Sequence, residues 1–202
     1  MKLWHSPASP FARKVRVCAI ELGLAARIEL AEVTVHPGKP NEQLARENPL
    51  IKIPALGTDD GGVLYDSRVI CEYLDALAGG KLFPALGAAR WQALRRQALG
   101  DGIADAGILR RYELALRPEA LHWADWLAGQ QAKVDHGLDA AEREAGDWGD
   151  EFDIGHIAVA CALGWLDFRF PNSGWRVAHP QLGAWFARIS ARRSLTQTAP
   201  GA

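Results

Sequence analysis

Cysteine is scarce in this chain, and its few copies are scattered. The three cysteines, Cys18, Cys71 and Cys161, form no C-x-x-C pair. An odd, dispersed set argues against a disulfide framework and suits a reducing compartment, the cytoplasm. Each lies among apolar residues at helical spacing, which predicts buried packing. No apolar run approaches the length of a membrane span. The opening MKLWHSPASP lacks the apolar stretch of a signal peptide, and prolines arrive at once. Net charge is only -1, so no broad field draws in nucleic acid or an anionic membrane, and any anion site has to be local. The six histidines follow no metal-ligand spacing, and no metal is expected. Internal repeats and low-complexity tracts are also missing.

What is present is an ordinary globular composition, 49% hydrophobic and 23% charged, in 202 residues that suit one large domain or two small ones. Short apolar runs alternate with helical patterns over the first 77 residues. Residues 2–5 and 28–33 read as strands. Between them, Phe11, Val15, Cys18 and Leu22 share one face of a helix over 10–22, which Gly23 closes. The polar stretch 36–49 reads as a loop with room for one helical turn. Residues 54–57 and 62–65 read as two strands around Asp59-Asp60-Gly61-Gly62, and a helix capped by Asp66 follows over 67–77. The order is β-α-β, loop, β-β-α. Residues 78–87 are the linker. Helical patterns over 88–116, 118–145, 154–169 and 180–192 then make residues 88–202 an all-α bundle. In the third of these, Ile157, Cys161, Gly164 and Phe168 share a face. Seven of the eight tryptophans fall in this half, where core and interface packing accounts for them.

Several local features carry both a structural and a chemical reading. Ser9-Pro10 is a standard helix start, with serine at N-cap and proline at N1. Ser6-Pro7 repeats the pair three residues earlier, so the pattern alone does not choose between the serines. Arg13, Lys14 and Arg16 crowd the first two turns, where the helix dipole disfavours cations. Exposure to solvent covers at least two of them, and the alternative is that they draw an anion to the helix start. Ile53-Pro54 opens a strand, an ordinary place for proline, and most X-Pro bonds are trans. Asp66-Ser67 is a capped helix start with free amides behind it.

Taken in order, Ser6-Pro-Ala-Ser-Pro-Phe-Ala-Arg-Lys-Val15, Asn48-Pro-Leu-Ile-Lys-Ile-Pro-Ala-Leu56 and Leu64-Tyr-Asp-Ser-Arg-Val-Ile-Cys-Glu-Tyr-Leu74 resemble the glutathione S-transferase N-terminal domain. The resemblance continues through Leu82-Phe83-Pro84. Phe152 to Ala160 and His179 to Phe186 are similar to the family's C-terminal helices, so nearly the whole chain is covered. The resemblance implies a bacterial, serine-type member with a thioredoxin-like domain at 1–77 and an all-α domain at 88–202. Ser9 then stands where thioredoxin-like relatives carry a redox cysteine, and it faces the glutathione thiol. Ile53, before a cis Pro54, pairs its backbone with the cysteinyl part. Asp66 and Ser67 hold the γ-glutamyl amino and carboxylate groups, Lys39 is a candidate for the glycyl carboxylate, and Phe11 and Arg13 lie nearby.

The implied activity is conjugation of an activated glutathione thiolate to an electrophilic, largely apolar substrate, a detoxification reaction. Glutathione is a co-substrate, with no other cofactor. A pocket between the domains would take the second substrate, with Asp101, Asp105 and Tyr112 as candidate wall residues. A homodimer is implied as well. Three alternatives share the fold: a non-catalytic glutathione or ligand binder, a glutathione-dependent thiol–disulfide oxidoreductase and, with nothing in the residues to favour it, a docking module in a larger assembly. The chain departs from the family pattern at the helix starting near Asp153. His156 stands where an aspartate usually completes a capping box, so the reciprocal half of that box is expected to fail. A proline common near the end of the last helix is replaced by Arg192-Arg193.

Overall fold

The computed structural model describes residues 1–200. It divides into two compact units, residues 1–90 together with the segment from Arg192 onward, and residues 91–191. In the first unit, β1 (Lys2–His5), α1 (Pro10–Glu21) and β2 (Glu29–Glu32) form a βαβ turn of chain. After α2 (Glu42–Glu47) come β3 (Ala55–Gly57), β4 (Val63–Leu64) and α3 (Ser67–Leu77). The sheet order is β2-β1-β3-β4. β1 and β2 are parallel with Leu3 opposite Leu30, while β3 runs antiparallel to both β1 and β4. This is the thioredoxin-like β-α-β, β-β-α order read from the sequence. α1 packs on α3 through Val15, Cys18, Ile70, Cys71 and Leu74, all fully buried. Within the stretch expected to be a loop, α2 forms because the Asn41 side chain accepts the Leu44 N–H at 2.9 Å.

Solvent exposure does not account for the basic residues of α1. Arg13 is 4% and Lys14 1% exposed. Arg13 Nε donates to Thr198 Oγ1 at 3.3 Å and its Nη2 to the Leu195 carbonyl at 3.1 Å. Lys14 Nζ sits 6.0 Å from the Phe11 ring centroid. Arg13 thus answers to the chain beyond Arg192, where α9 (Arg193–Thr196) lies against α1. That attachment is why the segment clusters with the first unit, although sequence patterning ran the helical domain on to 202.

Asp75 is a buried carboxylate on α3, 3% exposed. Its Oδ1 accepts the N–H groups of Lys81 (2.8 Å) and Leu82 (2.7 Å), and its Oδ2 that of Phe83 (3.2 Å). Three charge-assisted bonds therefore fix the linker's path against α3.

The second unit is helical: α4 (Gly87–Leu116, entering from the first unit), α5 (Ala124–Ala145), α6 (Ile154–Arg169), α7 (Trp175–Ala178) and α8 (Pro180–Ile189). α5 starts later than its sequence pattern. Residues Glu119–Leu121 form a 3-10 turn after Pro118, and the Trp123 N–H is held by Glu113 Oε1 of α4 at 2.9 Å. α6 is the hub, buried on every face from Ile154 to Leu166, whereas Phe168 at its end is 38% exposed. α4 approaches α6 through small residues. A Cβ at Gly100 would lie 2.5 Å from the Ala158 carbonyl carbon, and one at Gly155 would lie 2.6 Å from the Ala93 carbonyl oxygen. No helix among the described residues is long and apolar enough to cross a membrane.

The capping box at α6 is complete, contrary to the expectation from His156. Asp153 Oδ1 accepts the His156 N–H at 3.0 Å, and His156 Nδ1 accepts the Asp153 N–H at 3.3 Å. An imidazole nitrogen can do what the usual carboxylate does. When protonated, the same Nδ1 is placed to donate to Asp153 Oδ1, 2.9 Å away. Arg96 Nη1 adds a bond to Asp153 Oδ2 at 3.0 Å. Burial pushes the Asp153 carboxyl up, but the hydrogen bonds and charge of His156, together with Arg96, outweigh it and hold the carboxyl below its ordinary value. The folded state therefore favours the carboxylate. The stabilisation is complete above the unfolded aspartate value of about 3.9 and is lost as pH falls through the depressed folded value. The melting-temperature gap between wild type and Asp153→Asn is expected to narrow from about pH 6 to about pH 3. An unchanged gap across a pH series of melting curves would count against this assignment.

Candidate functional site

The sheet's strand directions gather the sequence-selected residues of the first unit at one end. β1, β2 and β4 run the same way and β3 runs against them. The ends of β1, β2 and β4 therefore share an edge with the start of β3. The Ser6–Ser9 turn leaves β1 there, Ile53-Pro54 enters β3, Tyr65-Asp66 leaves β4, and the loop bearing Lys39 leaves β2. The Ile53–Pro54 bond is cis, and so is Tyr65–Asp66. Ile53 lies beyond the paired register of β3, so its N–H and C=O are not engaged in the ladder. Lys39 is exposed, in an isolated bridge with His36.

Both serines of the β1–α1 turn make local bonds, and geometry now separates them. Ser6 Oγ accepts the Ala8 N–H at 3.3 Å within the turn. Ser9 is the N-cap of α1, where its Oγ accepts the Ala12 N–H at 3.2 Å. That bond occupies one lone pair and leaves the hydroxyl hydrogen free to donate outward. Among the other first-turn amides, Pro10 has none and the Arg13 N–H bonds to the Ser9 carbonyl at 2.9 Å. The Phe11 N–H has no partner among the described residues. Two donors, Ser9 Oγ–H and Phe11 N–H, thus remain at the positive end of α1, and the Phe11 ring is half-buried beside them.

α3 repeats the arrangement. Asp66 Oδ1 caps the Arg68 N–H at 2.9 Å, and the Ile70 N–H bonds to the Asp66 carbonyl at 3.0 Å. The N–H groups of Ser67 and Val69 have no partner among the described residues. Asp66 itself is exposed and Ser67 is 3% exposed. This helix start offers amide donors for a carboxylate next to an acid for an amine, while α1 offers donors for a second anionic atom. His5, at the end of β1, is kept below the usual imidazole value by burial first and then by the Arg16 charge, against the opposing pull of Glu32. Burial and the Arg13 charge likewise lower Arg16.

The proposed wall residues belong to α4. Asp101 is 3% exposed, Asp105 is exposed and Tyr112 is 36% exposed. Arg13 and Asp75 were not seen as organisers from the sequence. For Asp75 a signal existed, since it lies four residues past buried Cys71, an acid on the apolar stripe of α3. Arg13 gave no such signal, because its partners lie at the far end of the chain. Cys18, Cys71 and Cys161 are free thiols and all buried.

Residues 3–82 match the family model described as glutathione S-transferase, N-terminal domain, and residues 124–188 match glutathione S-transferase, C-terminal domain. Over 99% of this chain and 98% of its own length, an uncharacterized GST-like protein of Escherichia coli K12, YibF, is 33% identical. Glutathione S-transferase 3 of Zea mays is 29% identical, across 98% of this chain and 92% of that protein. Among solved structures, a glutathione transferase family member from Pseudomonas fluorescens Pf-5 with bound glutathione is 49% identical. It superposes with a TM-score of 0.97 over 100% of this chain and 99% of its own. A glutathione S-transferase from Methylobacillus flagellatus KT with glutathione bound is 38% identical, with a TM-score of 0.88 over 98% of each chain.

Proposed function

Because the chain belongs to the glutathione S-transferase family, we propose that it binds glutathione at this end of the sheet and transfers its thiolate to a small, largely apolar electrophile. The observation that carries the reading is the pair of helix starts with unpartnered amides flanking cis Pro54. The Ser67 and Val69 N–H groups take the γ-glutamyl carboxylate and Asp66 its ammonium. Ile53 pairs its backbone with the cysteinyl amide, and Lys39 reaches the glycyl carboxylate. Ser9 Oγ–H, and behind it the Phe11 N–H, donate to the sulfur. In the reaction the thiolate pair forms the new carbon–sulfur bond, and the electrophile either loses its leaving group or accepts a proton.

The Pseudomonas fluorescens structures support glutathione binding, since at 48–49% identity they carry glutathione and S-(propanoic acid)-glutathione. A thiol–disulfide oxidoreductase is disfavoured by chemistry. Ser9 cannot form a mixed disulfide, and Cys18, the nearest thiol in the sequence, is fully buried. Asp101, Asp105 and Tyr112 are proposed to contact the second substrate. The assembly is proposed to be a cytoplasmic homodimer, which sedimentation tests.

Calorimetric titration with glutathione, the ultraviolet absorbance of bound thiolate and conjugation to a halogenated nitroaromatic test the function together. Saturable binding with a thiolate signal at neutral pH and turnover is the expected result. Binding without thiolate or turnover reduces the protein to a glutathione binder, and absence of binding rejects both readings.

A further inference from the structure

Beside the candidate site, Ile51 holds a backbone conformation that its side chain disfavours. Its φ is +54°, and it is the one non-glycine residue with a positive φ among the described residues. In that region the Cβ of an L-residue crowds a carbonyl oxygen, and a β-branched residue there is an outlier. Such a conformation persists only where the surroundings over-determine it, and outliers of this kind gather at functional sites. Ile51 stands two positions before Ile53, at the entry to β3.

Two restraints hold it. The first is Asn48, 1% exposed, at the end of α2. Its N–H donates to the Leu44 carbonyl at 2.8 Å, and its own carbonyl accepts the Ile51 N–H at 2.8 Å. Its side chain accepts the Leu50 N–H at 3.0 Å and donates to the Lys52 carbonyl at 2.8 Å. The second restraint is packing. Ile51 is partly buried against the cluster of Trp4, Leu44 and Ala55, while Leu50 beside it is 64% exposed.

The consequence falls on Ile53. Ala55 is fixed by the ladder opposite Trp4, and Ile51 is fixed by Asn48 and the core. Ile53 lies midway between these anchors, with its N–H and C=O outside the ladder. A residue 51 that sampled ordinary negative φ would redirect the chain after it, and the Ile53 backbone would be held from one side only. We infer that Ile51 is a positioning residue, whose packed side chain pins a left-handed turn and so orients the Ile53 backbone for the cysteinyl part of glutathione. This rests on the glutathione reading of the site and adds to it a residue that acts through another.

The test compares wild type with Ile51→Gly, Ile51→Asn and Ile51→Val in the whole chain. The measurements are calorimetric titration with glutathione, conjugation kinetics, thiolate absorbance at saturating glutathione, and melting curves. Glycine and asparagine accept the left-handed conformation but remove the apolar anchor. Each is expected to raise the glutathione Kd and KM about tenfold, the equivalent of fixing one backbone residue on binding. The kcat and the pH midpoint of the bound thiolate should stay at wild-type values, because Ser9 is untouched. Ile51→Val keeps the β-branch and most of the packing, and should bind within about twofold of wild type. Relief of strain and loss of packing oppose one another in Ile51→Gly, so its melting temperature should stay within a few degrees of wild type. Wild-type affinity in Ile51→Gly and Ile51→Asn, Ile51→Val as weak as Ile51→Gly, or a fall in kcat and thiolate matching the loss of binding would each overturn the inference while leaving the site in place. Loss of folding in both Ile51→Gly and Ile51→Asn would make Ile51 a stability residue and overturn it as well. A wild type that does not bind glutathione would overturn the reading of the site, and this inference with it.

Discussion

Replacing Ser9 with alanine is expected to lower the glutathione conjugation rate at neutral pH by about ten- to a hundredfold, with little change in the KM for glutathione. A free thiol titrates near 8.5, so only a few per cent is thiolate at neutral pH. Lowering that value by two units requires about 2.7 kcal/mol in favour of the charged form. One hydroxyl hydrogen bond to the sulfur supplies roughly 1.5–3 kcal/mol, and the start of α1 adds about 0.3–1 kcal/mol. The hydroxyl is thus the larger contribution, and its removal returns the bound thiol most of the way to its solution value. The same substitution deletes the bond to the Ala12 N–H, which costs about 0.5–2 kcal/mol of stability. A melting curve separates that loss from the kinetic one. Ser9→Thr keeps the hydroxyl and should keep most of the rate. Ser6→Ala, whose hydroxyl accepts the Ala8 N–H within the turn, should leave both thiolate absorbance and rate unchanged. Full thiolate absorbance in Ser9→Ala would transfer the role to the Phe11 N–H.

The sequence could not choose between the two serines because each precedes a proline in the same pattern. The folded geometry gives the two different local roles, the Oγ of Ser9 capping α1 and that of Ser6 closing a turn. The spare amides behind both helix starts were legible in principle, since any helix leaves its first N–H groups unpaired. Which ones stay open depends on the side-chain caps, and only the folded geometry reveals that. The charges of α1 were misread for a different reason. Helical periodicity reports which face a residue occupies, yet Arg13 and Lys14 are both buried, and Arg13 is bonded to chain that lies far away in sequence.

A methyl group at Gly100 is the second large effect. Gly100→Ala is expected to destabilise the chain by about 3 kcal/mol or more, lowering the melting temperature by roughly 2–4 °C per kcal/mol. Its new Cβ would lie 2.5 Å from the Ala158 carbonyl carbon and 2.6 Å from the Val159 nitrogen. Those are backbone atoms of the buried hub α6, and no side-chain rotation relieves the overlap, so α4 and α6 must separate. Gly102→Ala, two residues along the same helix, should act with the opposite sign. Nothing lies within 4 Å of a Cβ there, and alanine in a helix interior is favoured over glycine by about 0.5–1 kcal/mol. The two melting temperatures are therefore expected to fall on opposite sides of wild type, and a neutral Gly100→Ala would contradict the close packing.

Composition alone would have assigned both glycines the same small penalty, because intrinsic propensity does not register a neighbouring backbone. The helical unit was otherwise readable from its apolar periodicity, except where single contacts shift an end. Glu113 holds the Trp123 N–H and sets the start of α5. His156 closes a capping box that a search for carboxylates would miss. The βαβ beginning was the most legible part, since Ser9, Pro10 and Gly23 mark both ends of α1 in plain local chemistry.

The bonds from Arg13 to Leu195 and Thr198 span 182 and 185 positions of chain. On a ribosome, β1, α1 and the rest of the first sheet emerge long before those acceptors exist. Until they do, water serves the Arg13 guanidinium, and its protein partners arrive only after the whole helical unit is translated. The unit that precedes the helical one is therefore completed after it. Vectorial synthesis leaves a nascent thioredoxin-like sheet that becomes fully native only when the returning segment docks.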